Sequence, residues 1–332
     1  MPGCIILPDP APAVAGYDLC ATNRADASMT LLSVRHVTAY RYRRPVSFGE
    51  HRMMFRPRDS YDQKLLEARL DIAPRPADVR WVHDVFGNCV TIVDFDDVAA
   101  DAIKFESSIW LDHSPSKAPN FQIEDAARAY PFAYDKEEMA DLAPAIARQH
   151  ADPDGEIERW VRRFLRNGKS TDTGMLLMTL TYAFKESFSY ERRSEPGTRP
   201  PSLTLKLGRG SCRDLALLMI EALRALGFAA RFVSGYIYVP SRDGTSYRGG
   251  GSTHAWVQVY LPGAGWVELD PTNAIVGNRD LIRVAVAREP AQAVPLSGSY
   301  FGASDDFLDM TVEVRVRSET AASEDAVAVA RS

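Results

Sequence analysis

The chain has 332 residues, a length typical of about two domains, and its 45% hydrophobic and 25% charged residues are ordinary for a globular protein. The net charge is −5, which argues against a protein built mainly to bind nucleic acid, because phosphate binding requires a basic surface. The four cysteines, Cys4, Cys20, Cys89 and Cys212, are scattered without a CxxC pair. Neither a disulfide framework nor a zinc site is therefore expected.

The two ends of the chain have compositions unlike the rest. Residues 1–29 are rich in Pro, Ala and Asp and show neither strand nor helix periodicity. They lack the basic start and the long apolar run of a secretory signal. We expect residues 1–29 to be a disordered leader, or residues 1–28 to lie upstream of the true start. We also expect residues 318–332 to be a disordered tail and the protein to be cytoplasmic.

Residues 30–112 predict a β-rich N-terminal domain that resembles a β-sandwich. Residues 33–42 alternate between apolar and polar positions, and β-branched and aromatic residues are frequent among them. Prolines and the pair Gly87–Asn88 interrupt the segment as turns do. Evenly spaced short strands are typical of a small sandwich. Further strands are predicted at residues 66–72, 79–85, 89–95 and 102–111.

Residues 113–154 predict a linker with a short helix, and residues 155–317 predict an α+β core. Ile157, Trp160, Val161, Phe164 and Leu165 lie on one helical stripe. The remaining elements of the core are predicted as a helix at residues 173–187, a loop at 191–201, a helix from Cys212 to Gly227, and strands at 229–239, 253–261, 266–270 and 310–316.

Three core residues predict acyl-transfer chemistry. Cys212 starts a helix, where the unpaired N–H groups and the helix dipole favour a thiolate, and its own amide is placed to face an oxyanion. Gly208 and Gly210 are expected to leave room for a substrate backbone. His254 starts one strand and Asp270 ends the next, so a hairpin would bring them together. A thiol, an imidazole and a carboxylate in this order predict a nucleophile, a proton shuttle and a group that orients the shuttle.

Each of these residues also has a structural explanation. A lone cysteine at a helix start is often a small buried residue, a histidine opening a strand is often structural, and an aspartate before proline is often a turn residue. Their combination, with glycines near Cys212 and His254, favours function. Asp214 is expected to cap its helix or pair with Arg213. Metal ligation by His36, His51 and His83, near Asp84 and Cys89, fits no known ligand spacing, so fold contacts are favoured there.

Four segments together resemble the bacterial transglutaminase-like superfamily. They are Gly-Ser-Cys-Arg-Asp at 210–214, Arg-Phe-Val-Ser-Gly-Tyr at 231–236, Thr-His-Ala-Trp-Val at 253–257 and Gly-Trp-Val-Glu-Leu-Asp-Pro-Thr-Asn at 265–273. Residues 34–42 and 85–88 are similar to the β-rich domain that precedes this core in many bacterial members, so the resemblance covers residues 31–317. It implies a papain-like fold with the catalytic triad Cys212, His254 and Asp270.

The resemblance implies thiol-dependent acyl transfer or hydrolysis on peptide-type amides through a thioester, as in cysteine peptidases, amidases or transglutaminases. Eukaryotic members place a Trp upstream of the cysteine to stabilise the oxyanion. No Trp lies between Trp160 and Cys212, so only the Cys212 amide is assigned that role. Hydrolysis is favoured, because no feature indicates a site that holds an amine and excludes water.

We expect a peptide or protein substrate, no cofactor, no metal, and neither a nucleic-acid nor a membrane partner. Two other classes remain open. One is a non-catalytic protein-binding module that keeps the transglutaminase fold. The other is a scaffold protein whose β-rich domain, residues 31–112, would bind its partner alone.

Overall fold

The computed structural model describes residues 30–96, 98–115, 122–166, 169–193, 195–238 and 251–319. The predicted leader and residues 320–332 of the predicted tail lie outside these ranges. No helix in the described ranges is long and apolar enough to cross a membrane. The α-helices are α1 (Lys136–Ile146), α2 (Glu156–Arg162), α3 (Thr173–Ser187), α4 (Pro201–Leu207) and α5 (Cys212–Ala225). The strands are β1 (Thr30–Met53), β2 (Gln63–Ala73), β3 (Asp78–His83), β4 (Cys89–Asp94), β5 (Ala99–His113), β6 (Ala129–Tyr130), β7 (Thr171–Asp172), β8 (Ser189–Tyr190), β9 (Arg209–Gly210), β10 (Ala230–Ile237), β11 (His254–Leu261), β12 (Gly265–Asp270), β13 (Ile275–Val276), β14 (Leu281–Ala287), β15 (Leu296–Phe301) and β16 (Phe307–Glu319).

The N-terminal domain is a curled sheet organised around the 24-residue strand β1. Seven of the described strands form it, in the order β2-β5-β1-β4-β3, with β15 and β16 also paired to β1. All its strand pairs are antiparallel. Alternate residues of β1 are buried, because successive side chains of a strand point to opposite faces. The apolar cluster inside the curl includes Phe48, Met53, Val93, Ile103 and Phe105.

The last two strands return to this first sheet. β16 pairs with β1 along nearly its whole length, from Leu31 opposite Glu319 to Tyr42 opposite Phe307. β15 pairs with the second half of β1. The predicted boundary at residue 317, which assigns both strands to the core, is therefore wrong. Ser318 and Glu319, predicted to belong to the disordered tail, are the end of β16.

The core is an antiparallel sheet in the order β13-β12-β11-β10-β14, with α5 packed against β10 and β11. Most of the α5 side chains are buried, among them Leu215, Leu218, Met219, Ala222 and Leu223. Apolar residues of α2 and α3 complete this cluster. The mixed helix and strand composition and this core architecture are the α+β, papain-like arrangement that the sequence predicts.

Several elements differ from the predictions. α2 ends at Arg162, before the last two members of its predicted stripe. α4 begins at Pro201, with proline in the first helical position where its missing N–H costs nothing. β14 was not predicted, although it pairs with β10 as the edge of the core sheet.

The two sheets share an interface. Leu32, Val34, Ile109 and Leu111 of the first sheet pack with Tyr236 and other residues of β10 and β14. Asn88 exchanges two hydrogen bonds with the backbone of Val286, at 2.7 and 2.9 Å. The N-terminal domain therefore packs against β10 and β14 of the core sheet.

Candidate active site

Cys212 is the first residue of α5, and the backbone just before it is fixed by a capping box. Ser211, the N-cap residue, has an extended conformation. The Asp214 carboxylate accepts hydrogen bonds from the Ser211 amide at 2.9 Å and from the Ser211 hydroxyl at 2.7 Å. The Cys212 thiol is partly exposed and forms no disulfide with the described residues. The helix therefore holds an accessible thiol beside the N–H groups of its first turn.

The two glycines before Cys212 serve the local fold. Gly208 ends α4 with a φ of 63°, in the left-handed region that favours glycine. A Cβ at Gly210 would lie 2.8 Å from the Cβ of Asp214, so the space beside this residue is already filled. The expectation that both glycines leave room for a substrate backbone is therefore wrong for Gly210.

Asp214 caps its helix as expected, but its ionic partner is Arg193. Arg193 Nη1 donates to the two carboxylate oxygens of Asp214 at 2.8 and 3.0 Å. The amide of Arg199 donates to the same carboxylate at 2.8 Å. Burial disfavours the charged form, but these hydrogen bonds and those from Ser211 hold the pKa of Asp214 below its usual value. Asp214 thus fixes the predicted loop at 191–201 to the start of α5.

Arg213 strengthens the same attachment. Its Nε donates to the carbonyl of Gly197 at 2.7 Å, and its Nη2 donates to the carbonyl of Glu195 at 2.5 Å. The alternative pairing of Arg213 with Asp214 is therefore not formed. The residues on both sides of Cys212 are therefore tied to the loop before α4.

His254 and Asp270 meet through the hairpin of β11 and β12. Val257 pairs with Leu269, and extending this register by one pair places Asp270 opposite Trp256. His254 is then the diagonal neighbour of Asp270 on the same face of the sheet. The distance from His254 Nε2 to Asp270 Oδ2 is 2.8 Å, and both side chains are fully buried.

Further hydrogen bonds orient the Asp270 carboxylate. Its Oδ1 accepts from the amides of Thr272 at 2.8 Å and Asn273 at 3.3 Å, and its Oδ2 accepts from Asn273 Nδ2 at 2.8 Å. Asn273 Nδ2 also lies 3.4 Å from His254 Nε2. Sequence reasoning assigned no role to Asn273, although it lies in the segment that carries the family resemblance.

The contact between His254 and Asp270 favours the charged form of both side chains. Burial opposes an imidazolium, but the charge and hydrogen bond of Asp270 raise the pKa of His254 above its ordinary value, and Cys212 adds to this rise. Burial likewise opposes the carboxylate, but the charge on His254 and the surrounding hydrogen bonds hold the pKa of Asp270 below its ordinary value. Because Nε2 is bound to Asp270, the nitrogen left for Cys212 is Nδ1, which is buried and has no hydrogen bond of ordinary length to the described residues.

Trp256 supports the imidazole from the side. Its ring stacks on His254, with centroids 5.9 Å apart and an interplanar angle of 27°. Gly235 lies opposite His254 on β10, where a Cβ would come within 2.7 Å of the Trp256 ring and 2.1 Å of the Ile282 carbonyl oxygen. Only glycine at position 235 therefore allows β10 to lie this close to the Trp256 ring and the Ile282 carbonyl. Trp266, the other tryptophan of the hairpin, instead packs under the Arg231 guanidinium at 3.9 Å.

The other candidate residues lie elsewhere. His36 binds Tyr236 and Thr38, and His51 binds the Gly49 carbonyl, as fold contacts would. The described residues contain no cluster of three potential metal ligands. Two cavities, of about 180 and 320 Å³, are lined by neither Cys212, His254 nor Asp270. Among the predicted residues, His254 and Asp270 are in direct contact, and Cys212 contributes to the raised pKa of His254.

Comparison with known proteins agrees with this architecture. Residues 32–111 match the bacterial transglutaminase-like N-terminal region, and residues 159–271 match the transglutaminase-like superfamily. The chain is 30% identical to the uncharacterized protein Mb2599c of Mycobacterium bovis, over 87% of this chain and 96% of that protein. It is 28% identical to the uncharacterized protein ML0607 of Mycobacterium leprae, over 86% and 99% of the two chains.

A solved structure shares the fold. A proposed cysteine protease from Cytophaga hutchinsonii superposes with a TM-score of 0.65 at 18% identity, covering 89% of this chain and 93% of that one. The superposition extends across both domains, so it includes the arrangement of the N-terminal sheet on the core. The two matched regions and the relatives that match over nearly their whole length show that this chain belongs to the transglutaminase-like superfamily.

Proposed function

We propose that the protein catalyses thiol-dependent acyl transfer or hydrolysis on peptide-type amides, with Cys212, His254 and Asp270 as the catalytic triad. The observation that carries the proposal is the 2.8 Å bond between His254 and Asp270, both buried, in a core whose cysteine starts a helix. A purely structural histidine would not need a buried carboxylate on one nitrogen and an unpaired second nitrogen near a thiol. Membership of the superfamily supports the class of chemistry.

The first half of the reaction forms a thioester. Cys212 transfers its proton to His254 Nδ1, and the sulfur attacks the carbonyl carbon of the amide. The oxygen of the tetrahedral intermediate carries the negative charge, which the Cys212 N–H stabilises from the helix terminus. When the C–N bond breaks, the imidazolium returns its proton to the leaving ammonia or amine. Asp270 keeps the ring orientation and stabilises the imidazolium throughout.

The second half releases the acyl group. Water or a second amine gives a proton to His254 Nδ1 and attacks the thioester carbon, and the proton then returns to the departing Cys212 sulfur. Water gives an acid, so the enzyme is a peptidase, amidase or deamidase; an amine gives a new amide, as in a transglutaminase. We favour hydrolysis, because no described feature near Cys212 forms a dedicated amine site.

The proposal is tested with a glutamine-containing casein digest, incubated with and without a primary amine and analysed by mass spectrometry. Hydrolysis converts an amide to an acid or cuts a peptide bond, whereas transglutamination adds the amine in place of ammonia. Either change should be absent with Cys212→Ala. Equal product patterns from wild type and Cys212→Ala would contradict catalysis on these peptides and favour the binding module.

The binding-module alternative has its own test, alkylation of Cys212 by iodoacetamide across pH. A thiol paired with an imidazolium reacts as a thiolate well below the ordinary thiol pKa of about 8.5. A profile like that of free cysteine, unchanged by His254→Ala, would contradict catalysis.

The cytoplasm remains our proposed location, to be checked by fractionating cells for the native protein.

A further inference from the structure

The segment around Cys212 is strongly basic in an acidic chain. Residues 190–214 carry five arginines and Lys206 against three carboxylates, a net charge of +3, whereas the whole chain has −5. Most of a chain's surface arginines are simply solvated, so the position of each charge decides whether it matters. The relevant charges are those that lie beside the thiol and lack a carboxylate partner.

The strand before the basic segment runs alongside the approach to Cys212. β8 and β9 are parallel, with Tyr190 paired to Gly210, and the Glu191 amide donates to the Gly210 carbonyl at 2.9 Å. Arg192 follows Glu191, whose amide contacts Gly210, and Cys212 lies two residues after Gly210, so both residues come directly after the same short pair of strands. The hydrogen bonds from Asp214 and Arg213 hold the rest of the segment in place.

Most of the basic charges near this point are neutralised. Arg193 pairs with Asp214 at 2.8 Å, and Arg199 pairs with Glu191 at 2.7 Å, with Arg209 3.7 Å from the same carboxylate. The guanidinium groups of Arg192 and Arg213 differ, because neither has a carboxylate partner in the described ranges.

Arg192 is exposed and has no carboxylate partner in the described ranges. Arg213 is partly exposed, and its partners are the uncharged carbonyls of Glu195 and Gly197. Both guanidinium charges are therefore available to an anion.

Tyr190, the strand partner of Gly210, responds to the same three groups. Burial raises the pKa of its phenol, negative charge at Cys212 raises it further, and Arg192 and Arg213 lower it. One side chain therefore lies within electrostatic range of all three groups.

We propose that this site selects peptides that carry a carboxylate next to the reacting amide, with Arg192 and Arg213 holding that carboxylate. The inference rests on the proposed function, because it names the substrate class of the same thiol. A carboxylate suits guanidinium groups, which offer several N–H donors in a planar fork. A glutamine or peptide bond flanked by Glu or Asp is the substrate that this arrangement favours.

Two small alkylating agents test the charge at Cys212 without a substrate. Iodoacetamide is neutral and iodoacetate carries the carboxylate; both form an S–C bond and release iodide. Modification at Cys212 is measured by peptide mass spectrometry, and Cys89, the other free thiol of the described chain, is the internal reference. The ratio of the iodoacetate rate to the iodoacetamide rate should be higher at Cys212 than at Cys89, and should fall with added salt.

Charge variants then identify the responsible residues. Arg192→Gln should lower the ratio of the iodoacetate rate to the iodoacetamide rate at Cys212 by about two- to fivefold. This is the effect expected from one unit charge near the thiol in a partly solvated site. Arg213→Gln should act similarly, and Arg213→Lys should restore much of the ratio because it keeps the charge. Arg43→Gln is the matched control, because Arg43 is an exposed arginine of β1, in the other sheet, without a carboxylate partner in the described residues.

The outcomes separate this inference from the proposed function. Fast iodoacetamide labelling with a ratio that Arg192→Gln and Arg213→Gln leave unchanged would overturn the charge selection and leave the activated thiol intact. A Cys212 inert to both agents would overturn both proposals. In the enzyme assay, glutamine peptides with flanking Glu should have a higher kcat/KM than matched peptides with flanking Lys. Equal values, or a preference that Arg192→Gln does not reduce, would also contradict the inference.

Discussion

At the scale of single residues, the arrangement of hydrogen bonds around Asp270 determines which nitrogen of His254 can accept a proton. The carboxylate accepts from His254, from Asn273 Nδ2 and from two backbone amides. A buried carboxylate so well satisfied stays ionised, which fixes the proton of the imidazole on Nε2. Nδ1 is then the basic nitrogen, and it is the nitrogen without an ordinary hydrogen bond in the described chain.

Asp270→Asn tests this assignment while keeping the shape of the side chain. The amide can donate to Nε2, so the imidazole proton moves to Nδ1 and the ring no longer accepts the thiol proton. We expect turnover to fall by about 10²–10⁴-fold, the range found for such a change in a catalytic triad. Circular dichroism of the variant should be unchanged. Turnover within a few fold of wild type would contradict an orienting role for Asp270.

The same pair predicts how stability depends on pH. A group whose pKa is higher in the folded state than in the unfolded state stabilises the folded protein. This stabilisation is complete below the pKa of the unfolded state, about 6.5 for histidine, and is lost as the pH rises toward the pKa of the folded state. The pKa of His254 is raised, with Asp270 as the source of the rise against the effect of burial. Above about pH 6.5 its contribution should fall by up to about 1.4 kcal/mol per pH unit.

Urea unfolding of wild type and Asp270→Asn at several pH values measures this contribution. The wild type should be more stable than the variant near neutrality, and the difference should shrink as the pH rises above the unfolded histidine pKa. On the acid side, the pKa of Asp270 is lowered, so its contribution is present above the unfolded aspartate pKa and is lost as the pH falls. A difference that does not change with pH would contradict the ionic character of the pair.

The three residues of the proposed triad are indicated by the sequence, whereas the side chains that support them are not. Cys212, His254 and Asp270 stand out because a helix start, a strand start and a strand end carry the three required groups in order. Asn273 lies only three residues after Asp270, but its side-chain direction depends on the turn conformation. The partner of Asp214 was uncertain because Arg193 lies 21 residues away along the chain.

At the scale of elements, one buried carboxylate joins α5 to two positions of the loop between β8 and α4. Asp214 belongs to α5, Arg193 to the segment after β8, and the amide of Arg199 to the segment before α4. The Arg193 side chain is only 9% exposed. Removing one partner of such a pair leaves an uncompensated charge in a poorly solvated place, which costs more than the pair itself contributes.

Asp214→Ala should lower the free energy of unfolding by about 3–5 kcal/mol, the range for breaking a buried ion pair. It should also loosen residues 191–199, so limited trypsin digestion should cut after Arg192 or Arg193 sooner than in wild type. Glu191→Gln, which removes a more exposed carboxylate from the same segment, should have a much smaller effect. Equal stability of Asp214→Ala and wild type would contradict the anchoring role.

The elements with regular local patterns could be predicted well. α3 has the predicted bounds, and the predicted strands that became β10, β11 and β12 are correct within a few residues, because their periodicity or β-branched content is local information. α4 was missed because its start, Pro200–Pro201, resembles the end of a loop. β14 was missed because its pairing with β10 is a long-range contact that sequence pattern alone does not show.

At the scale of the whole molecule, the N-terminal sheet is completed by the C-terminus. β1 has β5 on one side and β16 on the other over the residues from Leu31 to Arg41. Contiguous segments are the natural choice when domains are divided by sequence, so this return of the chain was not predicted. It also bears on the scaffold hypothesis, because residues 31–112 alone lack two strands of their sheet.

At the domain interface, Asp62 of the N-terminal domain joins a polar network that reaches the hairpin carrying Asp270. Arg283 of β14 donates to Asp62, in the segment before β2, at 3.1 Å and to Glu268 of β12 at 2.5 Å. Gln258 Nε2 of β11 donates to Glu268 at 2.7 Å. One polar network therefore connects the N-terminal domain to the strand that ends in Asp270.

A chain ending at Pro295 tests whether the returning strands are required. It keeps the core elements but removes β15 and β16, which leaves the long edge of β1 unpaired and uncovers apolar residues that pack with Val314. An unpaired edge of this length promotes association with other chains. We expect the shortened protein to aggregate or to lose cooperative unfolding in urea, whereas a chain ending at Glu319 keeps every described strand and should unfold as the full chain does. A soluble, cooperatively folded chain ending at Pro295, with wild-type alkylation of Cys212, would instead show that the core is independent of the returning strands.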